Sequence, residues 1–317
     1  AILNGLIDEE QKHEFHDNLE LNFAISLHDI GRFRANAFRQ RGDVALVIRH
    51  IKSKIPLVEE MNLPVILKDL VAQKNGLILL VGATGSGKST SLAAMIGHRN
   101  ANIGGHILTI EDPVEFIHKH NKAIINQREV GLDTLSYANA LKNAMREAPD
   151  VILIGEIRDE LTMEHAMAYA DTGHLCLSTL HASNAIQALD RIFNFFPKTA
   201  HRQLSEDLSR NLQAIISQRL IPSKTGELYP AVEVLINTPY VSEILQQGKL
   251  EKLPEAMEQG TKYGMATFDD VLYNLYKSGI VDVQTALEYA DSYNNLQLKI
   301  RMSDGSVGDE VFSDIKF

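Results

Sequence analysis

The octapeptide GATGSGKS at residues 82–89 matches every defined position of the phosphate-loop pattern G-x-x-x-x-G-K-[ST]. Glycines let such a loop wrap tightly enough to point successive backbone N–H groups at phosphate oxygens. Lys88 would then give a cation to the β- and γ-phosphates, and the hydroxyl of Ser89 would bind Mg²⁺. The pattern therefore predicts a site for a nucleoside triphosphate with Mg²⁺. The residues predicted to bind this nucleotide are Thr84, Gly85, Ser86, Gly87, Lys88, Ser89 and Thr90.

The segments on either side of the loop agree with this interpretation. An apolar run at residues 77–81 leads into the loop and predicts a buried strand, and residues 90–96 have the pattern of a helix. The N-terminus of that helix would add the positive end of its dipole to the anion site. An accidental glycine-rich turn is the alternative, and the order of strand, loop and helix argues against it.

Each of three further apolar runs ends in an acidic or imidazole side chain. They are residues 105–110, followed by Glu111 and Asp112; residues 151–154, followed by Gly155 and Glu156; and residues 175–180, followed by His181. In open α/β sheets, ligands bind beyond the carboxyl ends of the strands. The shared placement therefore predicts that these side chains converge on the bound phosphates.

Each of these side chains has a candidate chemical role and an alternative, purely structural interpretation. Glu156 could hold Mg²⁺ through water or accept a proton from an attacking water, or it could be a solvated acid at a strand end. Glu111 and Asp112 could complete the outer shell of the metal, or they could form an ordinary turn. His181 could donate a hydrogen bond to the γ-phosphate, or it could be structural.

Arginines recur in the N-terminal part of the chain. Arg32 and Arg34 alternate along one predicted strand, Arg39 follows near its end, and Arg49 lies on the next element. They could form a solvated basic face. They could also include an arginine finger that reaches the phosphates of a nucleotide bound to a neighbouring subunit. The residues alone favour neither interpretation over the other.

Two other features suggest chemistry and are better explained without it. His118 and His120 give at most two metal ligands, with no cysteine or third histidine nearby in sequence, so a solvated loop is expected rather than a metal site. Cys176 lies inside an apolar strand and is expected to be a small buried hydrophobe. Since it is the one cysteine, no intrachain disulfide can form, which fits a reducing cytoplasmic compartment.

The composition argues against two classes of partner. The 317 residues carry a net charge of −10, with 44% hydrophobic and 23% charged residues, which disfavours nucleic acid and polybasic membrane contacts. No apolar run approaches the ~18 residues that would span a bilayer, so direct membrane insertion is not expected. The start resembles no signal peptide and has no initiator methionine, and we expect a native N-terminus that is incomplete here.

The chain divides into four predicted segments. Residues 1–54 contain a helix and alternating strand patterns but too little for a full domain, and residues 55–61 form a linker. Residues 62–300 alternate strands and helices and become all-helical after residue 240, which predicts an α/β domain with a parallel sheet. Residues 301–317 are expected to be a flexible acidic tail.

Together these motifs resemble those of the secretion-superfamily ATPases, the motors of type II secretion and type IV pili. Residues 145–159 look like the signature of that superfamily, residues 107–116 look like its acidic box, and residues 172–191 look like its histidine box. With the phosphate loop, four motifs occur in the order typical of the family. The resemblance runs from about Phe23 to Leu296.

Within the superfamily the chain resembles the pilus retraction ATPases of the PilT/PilU type, through residues 32–38 and 262–265. The assembly ATPases usually carry a zinc module with four cysteines, which a single cysteine cannot form. Residues 240–245 differ from the Ala-Ile-Arg-rich helix of the PilT type. That difference, with residues 148–149 and the acidic tail, favours the PilU type.

The resemblance implies a RecA-like P-loop ATPase domain, preceded by a smaller PAS-like α+β domain that is truncated here. It implies a homo-hexameric ring that binds ATP and Mg²⁺ between the domains and near the next subunit. By position, Glu156 resembles the catalytic glutamate that activates water, Glu111 the acidic-box residue near Mg²⁺, and His181 the residue facing the γ-phosphate. Arg34 and Arg49 resemble the N-terminal arginines that reach the nucleotide.

The resemblance also implies a machine and a place. The ring would work at the cytoplasmic face of the inner membrane, on the platform protein at the base of a type IV pilus, and would power pilus retraction. One alternative is a weakly active accessory ATPase that binds and acts through a PilT-type partner. A second is a RecA-like motor on DNA, which the net charge of −10 and the absence of an obvious basic patch disfavour.

Overall fold

A computed structural model of the chain describes residues 2–27, 30–51 and 54–304. Within these ranges the strands form a three-stranded sheet and a seven-stranded sheet. The α/β class and the parallel sheet predicted for the main domain are confirmed. Of the predicted flexible tail, residues 301–304 belong to the last helix, and residues 305–317 lie outside the described residues.

Along the described residues, a helix and three strands come first, then strands interspersed with helices, and helices alone after the last strand. The strands are β1 (Glu20–Leu27), β2 (Gly31–Gln40), β3 (Asp43–Ile51), β4 (Gly76–Val81), β5 (Gly105–Glu111), β6 (Ala123–Glu129), β7 (Val151–Ile154), β8 (Leu175–Leu180), β9 (Leu212–Pro222) and β10 (Leu228–Ile236). The helices are α1 (Glu9–Asn18), α2 (Ile66–Val71), α3 (Lys88–Asn102), α4 (Tyr137–Ala144), α5 (Glu160–Asp171), α6 (Ala185–Phe195), α7 (His201–Asn211), α8 (Pro239–Gln247), α9 (Leu253–Gln259), α10 (Phe268–Lys277), α11 (Val283–Glu288) and α12 (Tyr293–Asp304).

The large sheet has the order β10-β9-β4-β8-β7-β5-β6, and β10 alone among these strands runs antiparallel to its neighbour. Strand β4 shows why both faces must be covered. Leu77 and Leu79 pack with helices α4 to α7, whereas Ile78 and Leu80 pack with α2 and α3 on the other face. Since both faces are buried, the strand is a continuous apolar run rather than an alternating one.

The N-terminal unit is an antiparallel sheet, β1-β2-β3, with α1 packed against it. Its core contains Phe15, Phe23, Ala35 and Ala37. Strands β2 and β3 form a hairpin that turns at Arg41 and Gly42, which agrees with the alternating strand patterns predicted for this part of the chain. The PAS-like character and the boundary of this unit stay predictions.

The helices predicted beyond residue 240 are present as α8 to α12. Helix α10 begins at Phe268 because the side chain of Thr267 caps it by accepting the amide of Asp270. Helices α10 to α12 add a third apolar cluster beside β9 and β10, whereas α8 and α9 belong to the cluster that contains Leu77 and Leu79. Among the described residues, no helix combines the length and the apolarity that a membrane span needs.

One carboxyl group is buried where the large sheet meets helix α6. The Oε1 atom of Glu233 on β10 accepts the amide of Ala185 and the hydroxyl of Ser217, both at 2.8 Å. Burial raises the pKa of Glu233 from 4.5 to about 7, against the lowering effect of these two hydrogen bonds. The native protein therefore holds a proton on this group in a pH range where the unfolded chain has lost it.

We expect the Glu233→Gln variant to lose less stability than the wild type as the pH rises. Between pH 4.5 and 7 the native state binds more protons than the unfolded state at Glu233, so the free energy of unfolding falls with pH. Glutamine keeps the acceptor and does not titrate. From pH 4.5 to pH 8, the difference in free energy of unfolding between variant and wild type should therefore shift in favour of the variant by up to about 3 kcal/mol. Denaturant unfolding at the two pH values measures this difference.

The exposed residue Glu227 offers a matched control, since Glu227→Gln removes an acid of the same hairpin without burial. The control should keep the pH dependence of the wild type. Equal pH dependence of unfolding for Glu233→Gln and Glu227→Gln would contradict the assignment of this stability change to Glu233.

Candidate functional site

The predicted phosphate loop joins β4 to α3, as the sequence indicated. Gly82, Gly85 and Gly87 have positive φ angles of 154°, 81° and 89°, a region that side chains rarely adopt. A Cβ atom at Gly82 would also lie 2.5 Å from the carbonyl oxygen of Gln218. The sharp turn therefore requires glycine, and it aims the first-turn amides of α3, which have no partners within the helix, into one space.

A residue that the sequence reasoning missed supports the loop from behind. Gln218 lies on β9 with its side chain 1% exposed. Its Nε2 donates to the carbonyl of Ser86 at 2.8 Å, and its Oε1 accepts the hydroxyl of Ser91 at 2.7 Å. One amide group thus connects the loop to the first turn of α3. The signal that was available is the polar pair Ser217 and Gln218, which directly follows the apolar run at residues 214–216 of the same strand.

Lys88 is buried inside the loop. Its Nζ donates to the carbonyl oxygens of Gly82 and Ala83, each at 2.8 Å. Burial lowers the pKa of Lys88, and the nearby charge of Glu156 opposes that shift. A buried ammonium held by neutral carbonyl groups would gain more from a charged acceptor, so this arrangement favours an anionic ligand such as a polyphosphate.

The side chains predicted at strand ends do converge. Strands β5, β7 and β8 are neighbours in the sheet, and the residues that follow them face the phosphate loop across a cavity of about 420 Å³. The predicted site residues that line this cavity are Thr84, Gly85, Gly87, Lys88, Ser89, Thr90, Glu111, Glu156 and His181, together with Asp112. Ser86 lies in the loop but does not line the cavity wall.

Glu156 is held from two sides. Its Oε2 accepts the Nε–H of Arg158 at 2.7 Å, and its Oε1 lies 3.2 Å from the Nε2 of His181. Arg158 also approaches Asp112, with 3.9 Å between Nη1 and Oδ2. The hydrogen bond to Glu156 raises the pKa of Arg158, so this side chain stays cationic. Arg158 belongs to the superfamily signature at residues 145–159, but no pattern in that segment predicts its contact with Glu156.

The carboxyl group of Glu111 is largely buried in the wall of the cavity. Its Oε1 accepts the hydroxyl of Thr109 at 2.7 Å and the Nε2–H of Gln127 at 3.3 Å. Burial raises the pKa of Glu111, although both hydrogen bonds act in the opposite direction. The carboxyl group would lose its proton readily to a cation bound beside it.

The donor set fits Mg²⁺ bound mainly by its substrate. The Ser89 hydroxyl and the carboxyl groups of Glu111 and Glu156 are oxygen ligands that line the same cavity. In the part of the chain that the structure describes, no three His, Cys, Asp or Glu side chains form a complete ligand cluster. Mg²⁺ commonly uses one or two protein oxygens with phosphates and waters, so a partial set is what such a site needs.

Tyr137, the first residue of α4, also lines the cavity and was not predicted. Its hydroxyl lies 2.8 Å from the position that a Cβ atom on Gly155 would occupy, so the glycine makes room for the ring. Burial and the neighbouring acids Asp112 and Glu111 raise the pKa of Tyr137. The hydroxyl therefore stays protonated and can donate a hydrogen bond.

The structure corrects the expectation for the two histidines of the following loop. His118 lines the cavity and is largely buried rather than solvated, and burial lowers its pKa to about 4. Its Nδ1 has no hydrogen-bond partner among the described residues. His120 is exposed and accepts the amide of Ile125 at Nδ1, so the two rings do not form a metal pair. Cys176 is fully buried, as expected.

The predicted arginines lie outside this cavity in the single chain. Arg34 is on β2, where its Nη2 contacts the Oε1 of Glu129 at 2.7 Å. Arg49 pairs opposite Arg34 on β3, and its side chain is exposed. Their predicted contact with a nucleotide would require movement of the N-terminal unit or a site on a neighbouring subunit.

Known proteins are similar to this chain over nearly its whole length. The family model described as "Type II/IV secretion system protein" matches residues 22–262. The type IV pilus ATPase PilU of Pseudomonas aeruginosa is 53% identical over 310 residues, covering 98% of this chain and 81% of that protein. The type IV pilus retraction ATPase PilT of the same organism is 39% identical over 290 residues, covering 92% of this chain and 84% of that protein.

A solved structure shows the same architecture. The crystal structure of the pilus retraction motor PilT with bound ADP superposes with a TM-score of 0.88 at 40% sequence identity. The match covers 93% of this chain and 84% of that one. The similarity therefore includes the N-terminal unit as well as the large sheet.

Proposed function

The chain belongs to the type II/IV secretion system protein family as an ATPase of the PilT/PilU type, and from this premise we propose that it is a hexameric motor that powers the retraction of type IV pili. One observation carries the proposal. The phosphate loop, Glu111, Glu156 and His181 face one cavity in a chain that is 53% identical to PilU along almost its whole length.

Nucleotide binding follows from the loop. The triphosphate lies along the first-turn amides of α3, where the positive end of the helix dipole favours negative charge. Lys88 exchanges its contacts with the carbonyls of Gly82 and Ala83 for contacts with the β- and γ-phosphates. Gln218 keeps the loop in shape while this exchange takes place, since its partners are Ser86 and Ser91 rather than the ligand.

Hydrolysis depends on a change of partner at Glu156. In the structure Arg158 donates to Oε2 of this carboxylate, so that oxygen is not free to accept a proton from water. The γ-phosphate offers Arg158 an alternative anion. When Arg158 moves to the phosphate, Oε2 of Glu156 is free to accept a proton from the attacking water. His181 stays 3.2 Å from the other oxygen and orients the carboxylate. Lys88 and the released Arg158 stabilise the charge that develops on the phosphoryl group.

Ser89 would hold Mg²⁺ through its hydroxyl, and Glu111 and Glu156 would hold it through water. When bound, the ion would supply positive charge that offsets the negative charge developing on the phosphate oxygens. Glu111 must be ionised for this role. Since burial favours its protonated form, the affinity of the cavity for a divalent cation rises with pH.

Movement follows from differential affinity. A nucleotide shifts a conformational equilibrium only as far as it binds the two states differently, so loss of the γ-phosphate changes the preferred position of the N-terminal unit. In a ring of six subunits at the cytoplasmic face of the inner membrane, such a change would turn the platform protein at the pilus base and return pilin subunits to the membrane. The retraction activity named for the PilT relatives supports this step.

A second candidate is an accessory ATPase that works through a PilT-type partner. This alternative follows from the resemblance to the PilU type, whose members resemble accessory motors, and the chain is 53% identical to PilU and 39% identical to PilT. The intact phosphate loop and the intact set of Glu111, Glu156 and His181 favour autonomous hydrolysis.

Live imaging of labelled pili separates the two candidates. We expect the chain, expressed alone in a piliated strain that lacks its own PilT- and PilU-type ATPases, to restore retraction events, and we expect the same chain with Glu156→Gln not to restore them. Retraction that appears only when a PilT-type ATPase is also supplied would favour the accessory candidate. No retraction in either strain would contradict the proposed function.

A further inference from the structure

Two cavities of the chain share one wall. Asp112 and Pro113 line the nucleotide cavity on one side and a second cleft of about 460 Å³ on the other. The opposite wall of this second cleft is the N-terminal unit, including Arg34. A single turn of backbone after β5 therefore separates the N-terminal unit from the place where the phosphates bind.

Glu129, the last residue of β6, connects the two sides of that wall. Its side chain is 7% exposed, and its two oxygens have different partners. Oε1 accepts from Nη2 of Arg34 at 2.7 Å, and Oε2 accepts the backbone amide of Val114 at 3.1 Å. The same carboxylate thus holds the N-terminal unit with one oxygen and the acidic loop, residues 112–118, with the other.

The backbone around Glu129 is fixed to the acidic residue of the nucleotide cavity. The amide of Val130 donates to the carbonyl of Glu111 at 2.9 Å, and the amide of Glu129 donates to Oδ2 of Asp133 at 2.8 Å. Strand β6 is paired with β5 up to the Glu111–Glu129 position. Glu129 therefore cannot follow Arg34 outward without disturbing Glu111.

The charges of the second cleft make the ion pair between Arg34 and Glu129 important for the local structure. Among the described residues that line it, Arg34 is the one cation, and the acids are Glu14, Glu20, Asp112 and Glu129. Removal of Arg34 leaves the buried carboxylate of Glu129 in a cleft lined by three other carboxylates. The amide of Val114 then remains as the partner of Glu129 in the acidic loop. A buried charge that loses its partner costs more than an exposed one, so the local structure should respond.

We propose that Glu129 is a positioning residue that makes the place of Arg34 and the place of the acidic loop mutually dependent. When Arg34 stays on Glu129, the loop keeps Glu111 and Asp112 at the nucleotide cavity. When Arg34 leaves, as it must to reach a nucleotide, the loop loosens. The N-terminal unit thereby regulates the part of the nucleotide cavity that Glu111 and Asp112 line. The use of this coupling in a motor rests on the proposed function, whereas the contacts themselves do not.

Hydrogen exchange of the nucleotide-free protein tests this coupling. Among the described residues, Arg34 makes no hydrogen bond or ion pair with residues 112–118, yet we expect Arg34→Ala to speed the exchange of amides in that segment on the order of fivefold to tenfold. Glu129→Gln keeps an acceptor for Val114 but loses the charge, and it should have a similar effect. Because both variants break one link, the double variant should add little to either single one. Arg34→Lys, which keeps the cation, should restore most of the protection.

Arg39→Ala is the matched control. Arg39 is on the same strand and donates to the carbonyl of Gly42 in its own hairpin, so this variant should leave residues 112–118 unchanged. Unchanged exchange of that segment in Arg34→Ala, or equal changes in Arg34→Ala and Arg39→Ala, would overturn the proposal. The measurement needs no ATP, so its outcome is independent of whether the protein hydrolyses nucleotide.

Discussion

Replacing Lys88 with alanine is expected to abolish ATP binding at practical concentrations, with an affinity at least about 100-fold weaker than that of the wild type. The ammonium of Lys88 is buried in the loop and has only two carbonyl oxygens to leave behind when phosphates arrive. Alanine removes the charge-assisted hydrogen bonds to the phosphates and leaves the polyphosphate without its central cation. Titration with a fluorescent ATP analogue in the presence of Mg²⁺ measures the loss.

Lys74→Ala provides the matched control for this experiment. Lys74 is exposed on the segment that precedes β4, so its removal changes the net charge by the same amount away from the cavity. The control should bind ATP like the wild type. If Lys88→Ala retains the wild-type affinity, the nucleotide site lies elsewhere and the description of the cavity is wrong.

Glu156→Gln is expected to bind ATP and to lose turnover, with kcat lowered by roughly 100-fold or more. Glutamine has nearly the same shape and can keep a contact with His181, but its amide oxygen cannot accept a proton from water as a carboxylate does. The loss should therefore fall on the chemical step rather than on affinity. Steady-state hydrolysis and equilibrium titration on the same preparation separate the two quantities.

Glu160→Gln is the comparison variant for that prediction. Glu160 is an exposed acid in the first turn of α5, close in sequence to Glu156 and outside the cavity wall. It should hydrolyse ATP at the wild-type rate. Normal turnover by Glu156→Gln would exclude this residue as the base and would leave the proton of the attacking water without an acceptor in the proposed mechanism.

The parts of the site that lie on contiguous segments could be predicted from the sequence. A strand, a glycine-rich loop and a helix in sequence fix the geometry of the phosphate loop locally. The placement of Glu111, Glu156 and His181 followed from one general rule about parallel sheets, because apolar runs marked the strands and the acids marked their ends. These residues do share one cavity.

The parts that depend on distant pairing could not be predicted. Gln218 supports the phosphate loop from a strand about 130 residues later, and nothing in either segment indicates the other. Arg158 and Tyr137 depend on side-chain directions within turns, which periodicity does not determine. The burial of His118 likewise depends on tertiary structure, since its loop and α3 line the same cavity, and not on its neighbours in sequence.

Hydrolysis of MgATP by the purified protein, with the oligomer size measured on the same samples and Glu156→Gln beside it, tests the central claim most directly. We predict turnover by a hexamer that falls by roughly 100-fold in the variant. A wild-type hexamer that binds ATP and does not hydrolyse it would contradict an autonomous motor and would favour the accessory function. Turnover that is equal in the wild type and the variant would contradict the assigned catalytic site.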